Sequence, residues 1–378
     1  MFVIILSSCS KNNNIDNIDV EEISLHNNPF PATFVKEKEI KIEALTKGYP
    51  HFARVNGDDH VFIKFRNGDG DHEIWKYNSS TEFQKKFIIK YGQGPKEAMR
   101  PIILGGTPNE ILMYDLSYRR LLFWDSNFEN CVMEKRALIT HGFKYSGFGY
   151  SPKFGRVLIW EWIDGLPNEM QKVNVYLKHI DKRKGDSDQK IFKYEYIAWK
   201  IIDGNLHFWP SLWFHCIMLK DFVFLVNVKE YVLYKYDLMG TLLKKVKVKF
   251  EHKKFSKYQL KEWKESFREK GPNLHFPDEL FPACWLLPID KGFIVGRRED
   301  YKSSNKEWVT ADYFDMSLRY LGKVSVPSFL RWNNPFYCQT SADIRALGKD
   351  KRLYIITEDE VGNGDYILSR WILKYEER

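Results

Sequence analysis

Short apolar runs, rich in β-branched and aromatic residues, alternate with tight-turn residues along most of the chain. Six pairs of runs stand out: HFARV-NGDD-HVFIKF from residue 51, PIILG-GTPN-EILMYD from 101, GFGY-SPKFG-RVLIWEW from 147, FHCIML-KD-FVFLVNV from 214, WLLP-IDK-GFIVGRR from 285 and DIRAL-GKDK-RLYIITE from 343. Each has the composition of a β-hairpin, because Val, Ile, Phe, Tyr and Trp suit a pleated surface while Gly, Asn, Asp and Pro suit the turn. A third run behind each of the first five hairpins ends in an aromatic or apolar residue and a turn former: Tyr77-Asn78, Trp124-Asp125, Ile180-Asp181, Tyr236-Asp237 and Phe314-Asp315. Asn or Asp at such a place accepts a hydrogen bond from the backbone two residues on and opens a turn into a fourth strand. The fourth runs follow as FQKKFIIKY, CVMEKRALI, KIFKYEYI, LLKKVKVKF and YLGKVSVP.

The turn residues recur at roughly fifty-residue spacing. The long interval from Asp237 to Asp315 contains FSKYQLKEWKESFREK, in which Phe255, Tyr258, Leu260, Trp263 and Phe267 lie at helical spacing. That spacing predicts one short helical insertion around 255–270. Four strands per unit and six units predict an all-β chain folded as a six-bladed β-propeller over 34–378. The last unit runs out at WILKYEER without a fourth strand, and the alternating segment KEIKIEAL at 38–45 stands unused before the first hairpin. This N-terminal strand is therefore expected to complete the last blade and close the ring without an open sheet edge. A β-sandwich, the competing all-β reading, has no four-strand internal period.

The segment KYGQGPKEAMRP, residues 90–101, has the glycines and lysine of a phosphate-binding loop but not the spacing. A P-loop needs G-x-x-x-x-G-K-[ST] and a dinucleotide site needs G-x-G-x-x-G opening a helix. Pro101 forbids a long helix directly behind Gly92 and Gly94. The segment instead reads as the connector from the outer strand of one blade to the inner strand of the next.

The chain has 378 residues, 44% of them hydrophobic, which suffices for one large core or two ordinary ones. A net charge of +8 suits acidic partners, yet the densest lysine run, from Lys244 to Lys270, is diluted by Glu251, Glu262, Glu265 and Glu269 and reads as a solvated face. No zinc-finger, helix-turn-helix or RNA-recognition motif is present, so nucleic acid is not expected as a partner. No run of about 18 apolar residues exists to cross a membrane as a helix. The start, MFVIILSSCS, places small residues and Cys9 after an apolar stretch, as at a lipoprotein processing site, although a basic leading segment is missing and Ser8 stands where Gly or Ala is commoner. Residues 1–9 are thus read as a signal remnant, Cys9 as the lipidation site and 10–33 as a flexible tether. Cys131, Cys216, Cys284 and Cys338 are widely spaced, lack a C-x-x-C pair, and are expected as mostly buried free thiols.

The lipobox-like start, the GQGPKE connector and EILMYDLSYRRLLFWD together resemble the six-bladed propeller lipoproteins of Bacteroides-type bacteria, which are similar to TolB-like and NHL-like propellers. The resemblance spans nearly the whole chain. It implies the fold and export to the envelope, and it brings no catalytic residue with it.

In a propeller the long connectors share one face and surround one mouth of the central channel, and long loops on a rigid scaffold are where binding concentrates. Residues at the start of each inner strand should meet there: His51, Arg100, His141, Tyr145, Trp213, His215, Trp285, Tyr337, Asp343 and Arg345. Aromatic faces with Arg and His donors suit a sugar ring or a carboxylated ligand, although the same aromatics also suit channel filling and the seams between blades. His51, His141 and His215 make a conceivable three-His metal site, but no spacing forces them together. NGDGDHE at 67–73 resembles half a calcium loop without the Gly and final Glu of an EF-hand. Neither a G-x-S-x-G elbow nor a Cys-His nucleophile motif occurs. The sequence therefore favours a monomeric, non-catalytic binding or scaffold module without cofactor, held to the outer membrane through Cys9, with a glycan, peptide or envelope protein as ligand. A metal-dependent lyase or hydrolase acting on carbohydrate at the same mouth is the alternative.

Overall fold

The computed structural model describes residues 19–26, 28–42, 52–55, 60–66, 70–107, 109–135, 149–151, 155–163, 171–179, 189–196, 199–203, 205–208, 214–251, 254, 257, 283–289, 291–297, 308–327, 344–347, 352–358 and 365–376. Two N-terminal strands, β1 (Val20–Ser24) and β2 (Pro29–Ile42), precede a series of antiparallel meanders. The first comprises β3 (Phe52–Val55), β4 (Val61–Arg66), β5 (His72–Tyr77) and β6 (Phe83–Ile89). The second is built from β7 (Pro101–Thr107), β8 (Glu110–Asp115), β9 (Arg120–Asp125) and β10 (Cys131–Lys135), and the third from β11 (Gly149–Ser151), β12 (Arg156–Ile163), β13 (Gln171–His179) and β14 (Gln189–Tyr196). A hairpin that the sequence reading did not anticipate, β15 (Trp199–Ile202) with β16 (Asn205–Phe208), comes next. The fourth meander holds β17 (Phe214–Leu219), β18 (Phe222–Asn227), β19 (Val232–Asp237) and β20 (Leu242–Lys249). The fifth holds β21 (Ala283–Ile289), β22 (Gly292–Arg297), β23 (Trp308–Asp315) and β24 (Tyr320–Pro327). The last strands are β25 (Ile344–Leu347), β26 (Leu353–Glu358) and β27 (Tyr366–Tyr375).

The third-to-fourth strand turns follow one local rule. Asn78 Oδ1 accepts from the amides of Ser80 and Glu82, Asp125 Oδ1 from Asn127 and Glu129, and Asp315 Oδ1 from Ser317 and Arg319. Asp237 Oδ1 accepts from Thr241 N at 2.8 Å. Three residues past each of these, Thr81, Phe128, Gly240 and Leu318 adopt positive φ of 61°, 56°, 83° and 61°. A left-handed residue closing a type I turn inserts one extra residue into the ladder. The register accordingly shifts at Lys76/Tyr77, Lys235/Tyr236 and Tyr313/Phe314. The fourth strand expected at Asp181 forms as β14, while that turn residue itself lies outside the described residues.

Second strands such as FVFLVN of β18 are buried almost end to end, whereas the fourth strand β6 alternates and is mostly exposed. The contrast means that sheets cover both faces of the middle strands and leave the fourth strands at the periphery. One core cluster joins the first two meanders through Phe62, Ile74 and Met113, another joins the third and fourth through Leu177, Val223 and Tyr236, and a third joins the fourth and fifth through Phe224 and Phe293. First strands neighbour one another in turn: β25 with β3, β3 with β7, β7 with β11, β11 with β17 and β17 with β21. This is a propeller-like all-β arrangement. The helical insertion expected at 255–270 lies outside the described residues apart from residue 257.

β2 completes the last unit. It runs antiparallel to β27 from Ala32 opposite Tyr375 to Ile42 opposite Tyr366, so the strand expected at 38–45 is present and begins earlier, at Pro29. Its first residues also pair in parallel with β24, which fuses the fifth and sixth units into one eight-stranded sheet. β1 pairs in parallel with β20. Residues 20–24 and 29–33, inside the segment expected as a tether, are thus strand; their polar and proline-rich composition hid a role as an added edge, for which backbone pairing suffices.

Two charged clusters, one buried and one at the surface, tie these parts together. Tyr231, 1% exposed, donates its hydroxyl to Asp312, 0% exposed, across the seam between fourth and fifth units, and Arg297 Nε donates to both oxygens of that carboxylate at 2.8 and 2.7 Å. Burial, then the Asp312 charge, pushes the Tyr231 hydroxyl far above its usual range. In β2 the register shifts between Lys36 and Lys38, and Glu37 at that bulge bonds Arg352 and pairs with Arg370. The Arg352 hydrogen bond holds the Glu37 carboxyl below its ordinary 4.5.

Tyr231→Phe removes a hydrogen bond to a buried carboxylate and should lower unfolding free energy by about 1.5–3 kcal/mol, read from the denaturant midpoint. Because the folded-state pKa of Glu37 is depressed, its contribution is present above the unfolded value and lost as pH falls through the folded one. The stability gap between wild type and Glu37→Gln should therefore be open at neutral pH and narrow as pH falls from about 5 to 3, in denaturant titrations at each pH.

Candidate functional site

The rim of the row of first strands is described most fully where the first meander passes into the second, along Lys90 to Pro101. Lys90 makes an isolated bridge with Glu97, and Ala98 N donates to Lys90 O, so the connector folds back on itself. Its interior is filled by the guanidinium of Arg120, which is 3% exposed. Nη1 donates to Gln93 O at 2.6 Å and Gly94 O at 3.2 Å, and Nη2 donates to Glu97 O at 2.6 Å and Gly92 O at 3.3 Å. Nε donates to Asp115 Oδ2 at 3.3 Å. Asp115, wholly buried, also accepts from the amides of Met99, Arg100 and Ser117.

This geometry decides what the glycine-rich segment does. An anion cradle presents amide N–H groups to its ligand. Here four carbonyl oxygens converge on a cation instead, and the Gly94 amide is already donated to Glu97 Oε2 at 2.8 Å. An added Cβ at Gly92 would lie 2.1 Å from that same carboxylate oxygen, so a side chain there would displace Glu97 from the Gly94 amide. The connector is a clamp around Arg120, in agreement with the architectural reading.

Neighbouring charges also hold backbone. Lys64 Nζ donates to Pro101 O at 2.8 Å, and His72 Nε2 lies 3.1 Å from Met99 O. Asp71 accepts from Lys90 Nζ and Tyr91 N, both at 2.8 Å, and these bonds, Lys90 first, hold its carboxyl below the usual carboxylate range. Lys64, Asp71, His72, Asp115 and Arg120 were absent from the site expected from sequence. Their signal was there: each is a charged or imidazole residue at or near the end of a run otherwise buried, as in VFIKF and ILMYD.

Of the expected site residues, Arg100 stands immediately before β7 with an exposed side chain, its amide held by Asp115 and its carbonyl accepting from Leu116 N. His215 is half-buried in β17 opposite Val226. Trp285 is in the core at 2% exposure, and its indole fills the space where a side chain on Gly296 would stand. Its burial is the packing role that the sequence left beside a ligand role. Arg345 lies in β25 opposite Ile355. His51, His141, Tyr145, Trp213, Tyr337, Asp343 and Cys9 lie outside the described residues. Arg100, His215 and Arg345 thus stand at or in alternate first strands, with β3 between β25 and β7 and β11 between β7 and β17. Among the described residues no group of three or more His, Cys, Asp or Glu side chains is placed to hold a metal ion. Cys131 and Cys216 are free thiols, and burial pushes them up to about 11 and about 12.

No family model matches the chain, and no curated protein matches it. Solved structures similar to it include a candidate exported protein of Bacteroides fragilis, 12% identical over 95% of this chain and 100% of that one, with a TM-score of 0.45. A member of the DUF4221 family from Bacteroides vulgatus is 11% identical over 92% and 99%, with a TM-score of 0.46. Regucalcin, a calcium-binding protein from Agrobacterium tumefaciens, is 10% identical over 93% and 98%, with a TM-score of 0.39.

Arg120→Lys keeps the charge but offers a single ammonium to four carbonyls and a carboxylate. It should cost about 3 kcal/mol or more in unfolding free energy, close to the cost of Arg120→Met, and should make the 90–101 connector a preferred cleavage site in limited proteolysis.

Proposed function

We propose that this chain is an exported, six-bladed β-propeller lipoprotein, closed by β2, that binds a glycan, peptide or envelope protein at the channel mouth without transforming it. Cys9 bears the lipid that holds it to the outer membrane, the stretch between Cys9 and β1 is the tether, and the protein is a monomer. The observation that carries the reading is the use of the rim's charges. Asp71, His72, Lys64, Asp115 and Arg120 are engaged with backbone groups, which makes a rigid support for a ligand surface rather than a set of groups poised for proton transfer. Arg100 projects from that support and offers the ligand a planar cation. His51, His141, Tyr145, Trp213, His215 and Tyr337 complete the surface in this reading, whereas Trp285 supports it from the core.

Thermal unfolding of the chain from residue 10 onward tests this. EDTA, calcium and zinc should leave the midpoint unchanged, whereas a cognate glycan or envelope peptide at a hundred times its dissociation constant should add about 2.7 kcal/mol. Arg100→Glu should abolish that gain with the ligand-free midpoint unaltered. A midpoint lowered by EDTA and restored by a metal would instead place an ion in the channel and favour a metal-dependent lyase or hydrolase.

A further inference from the structure

The two N-terminal strands are held in different ways. β2 buries Ala32, Phe34 and Ile42. β1 is exposed at Val20, Glu21, Glu22 and Ser24, and only Ile23 is half-buried, against the margin of the core that also receives Leu25. Its ladder to β20 is five residues long, from Val20 opposite Lys245 to Ser24 opposite Lys249. Glu21 pairs with Lys244 at 2.7 Å, and Glu22 lies 4.0 Å from Lys247 and 3.2 Å from Lys249. These side chains are between 35% and 60% exposed, so water and salt screen each pair and leave it weak. Immediately after β1 the chain is pinned: His26 O accepts from Tyr320 Oη at 3.0 Å, and Asn28 O accepts from Lys323 N at 3.1 Å. β1 is therefore a short, superficial strand hinged at a fixed point.

Beneath it, β20 presents a strand edge beside Lys244, Lys247 and Lys249, with buried Val248 opposite Ile23. We propose that this edge is a docking strip for an acidic, extended segment of a partner protein, and that β1 is the built-in occupant which such a segment displaces. Strand addition draws affinity from the backbone ladder and specificity from alternate side chains. The chemistry of a fitting segment follows from β1: two consecutive acidic residues that reach the three lysines, then an aliphatic residue over Val248. The hinge keeps β1 at an effective concentration on the order of millimolar, so a partner succeeds by binding more tightly or when the arm is weakened.

The test uses the full chain and a fluorescent peptide of residues 19–25, followed by anisotropy. Glu21→Lys with Glu22→Lys should release β1 and raise peptide affinity at least tenfold over wild type, with the gain lost in 0.5 M salt (about a 4 Å screening length) and with a peptide carrying Lys at both acidic positions. Equal affinity for both proteins, or no binding to the folded variant, would overturn the proposal. Hydrogen exchange on the unmodified protein provides a second reading. β1 amides should exchange at least a hundredfold faster than those of β2, and equal protection would show that β1 does not open. Peptide binding accompanied by dimerisation of the wild type in sedimentation would overturn the partner assignment in favour of exchange between two copies.

Discussion

A side-chain oxygen that caps its own turn sets the frame of this molecule. Where Asn78, Asp237 and Asp315 begin the third-to-fourth strand turn, the amide bonds they accept and the left-handed residue three positions later insert one extra residue into the ladder. The fourth strand then meets the third in only one register. A slip of one residue would turn Val246 and Val248 outward and bring the lysines of β20 into the core, because side chains alternate with a period of two. The seam packing of Phe224 on Phe293 and the outer edges on which β1 and β2 lie both presuppose that register.

These turns were legible in the sequence because their chemistry is local, spanning about five residues. The same is true of the fourth strands, whose observed bounds fall close to the runs read from composition. What was not legible depends on partners far apart in sequence. Nothing near Arg120 announces that its guanidinium will hold a connector some twenty-five residues upstream, and nothing near Tyr231 announces Asp312 eighty-one residues later. Val20–Ser24 and the first residues of β2 read as tether because an added edge strand takes its hydrogen bonds from an existing sheet and needs little burial of its own. Trp285 shows the corresponding limit for the site. An aromatic at the start of a first strand fits a channel mouth and a core equally well, and the deciding residue was Gly296, whose missing side chain makes room for the indole.

The rim illustrates how charge serves structure in a basic protein. Lys64, His72, Asp71, Asp115 and Arg120 satisfy connector backbone that would otherwise lack partners once water is excluded. A loop closed around a guanidinium has few alternative conformations, so a ligand meeting it loses little freedom to loop ordering. Rigidity here comes from polar groups inside the loop, and the outward face stays available to change without loss of shape.

β2 pairs with β27, joining residues 29–42 to residues 366–375. Synthesis proceeds from the N-terminus, so this strand is made long before its antiparallel partner. The five intervening meanders are each assembled from local hairpins, yet the β2–β27 pairing is a contact of very high sequence separation, the kind whose loop-closure entropy slows folding. In the interval β2 is an unsatisfied strand carrying Phe30, Phe34 and Ile42, the species most prone to pair with the wrong neighbour. The alternating charges of its KEKEIK stretch keep that waiting strand soluble. Because one sheet draws strands from both sides of the intervening meanders, a chain interrupted anywhere between β2 and β27 loses that shared sheet as well as whatever is missing.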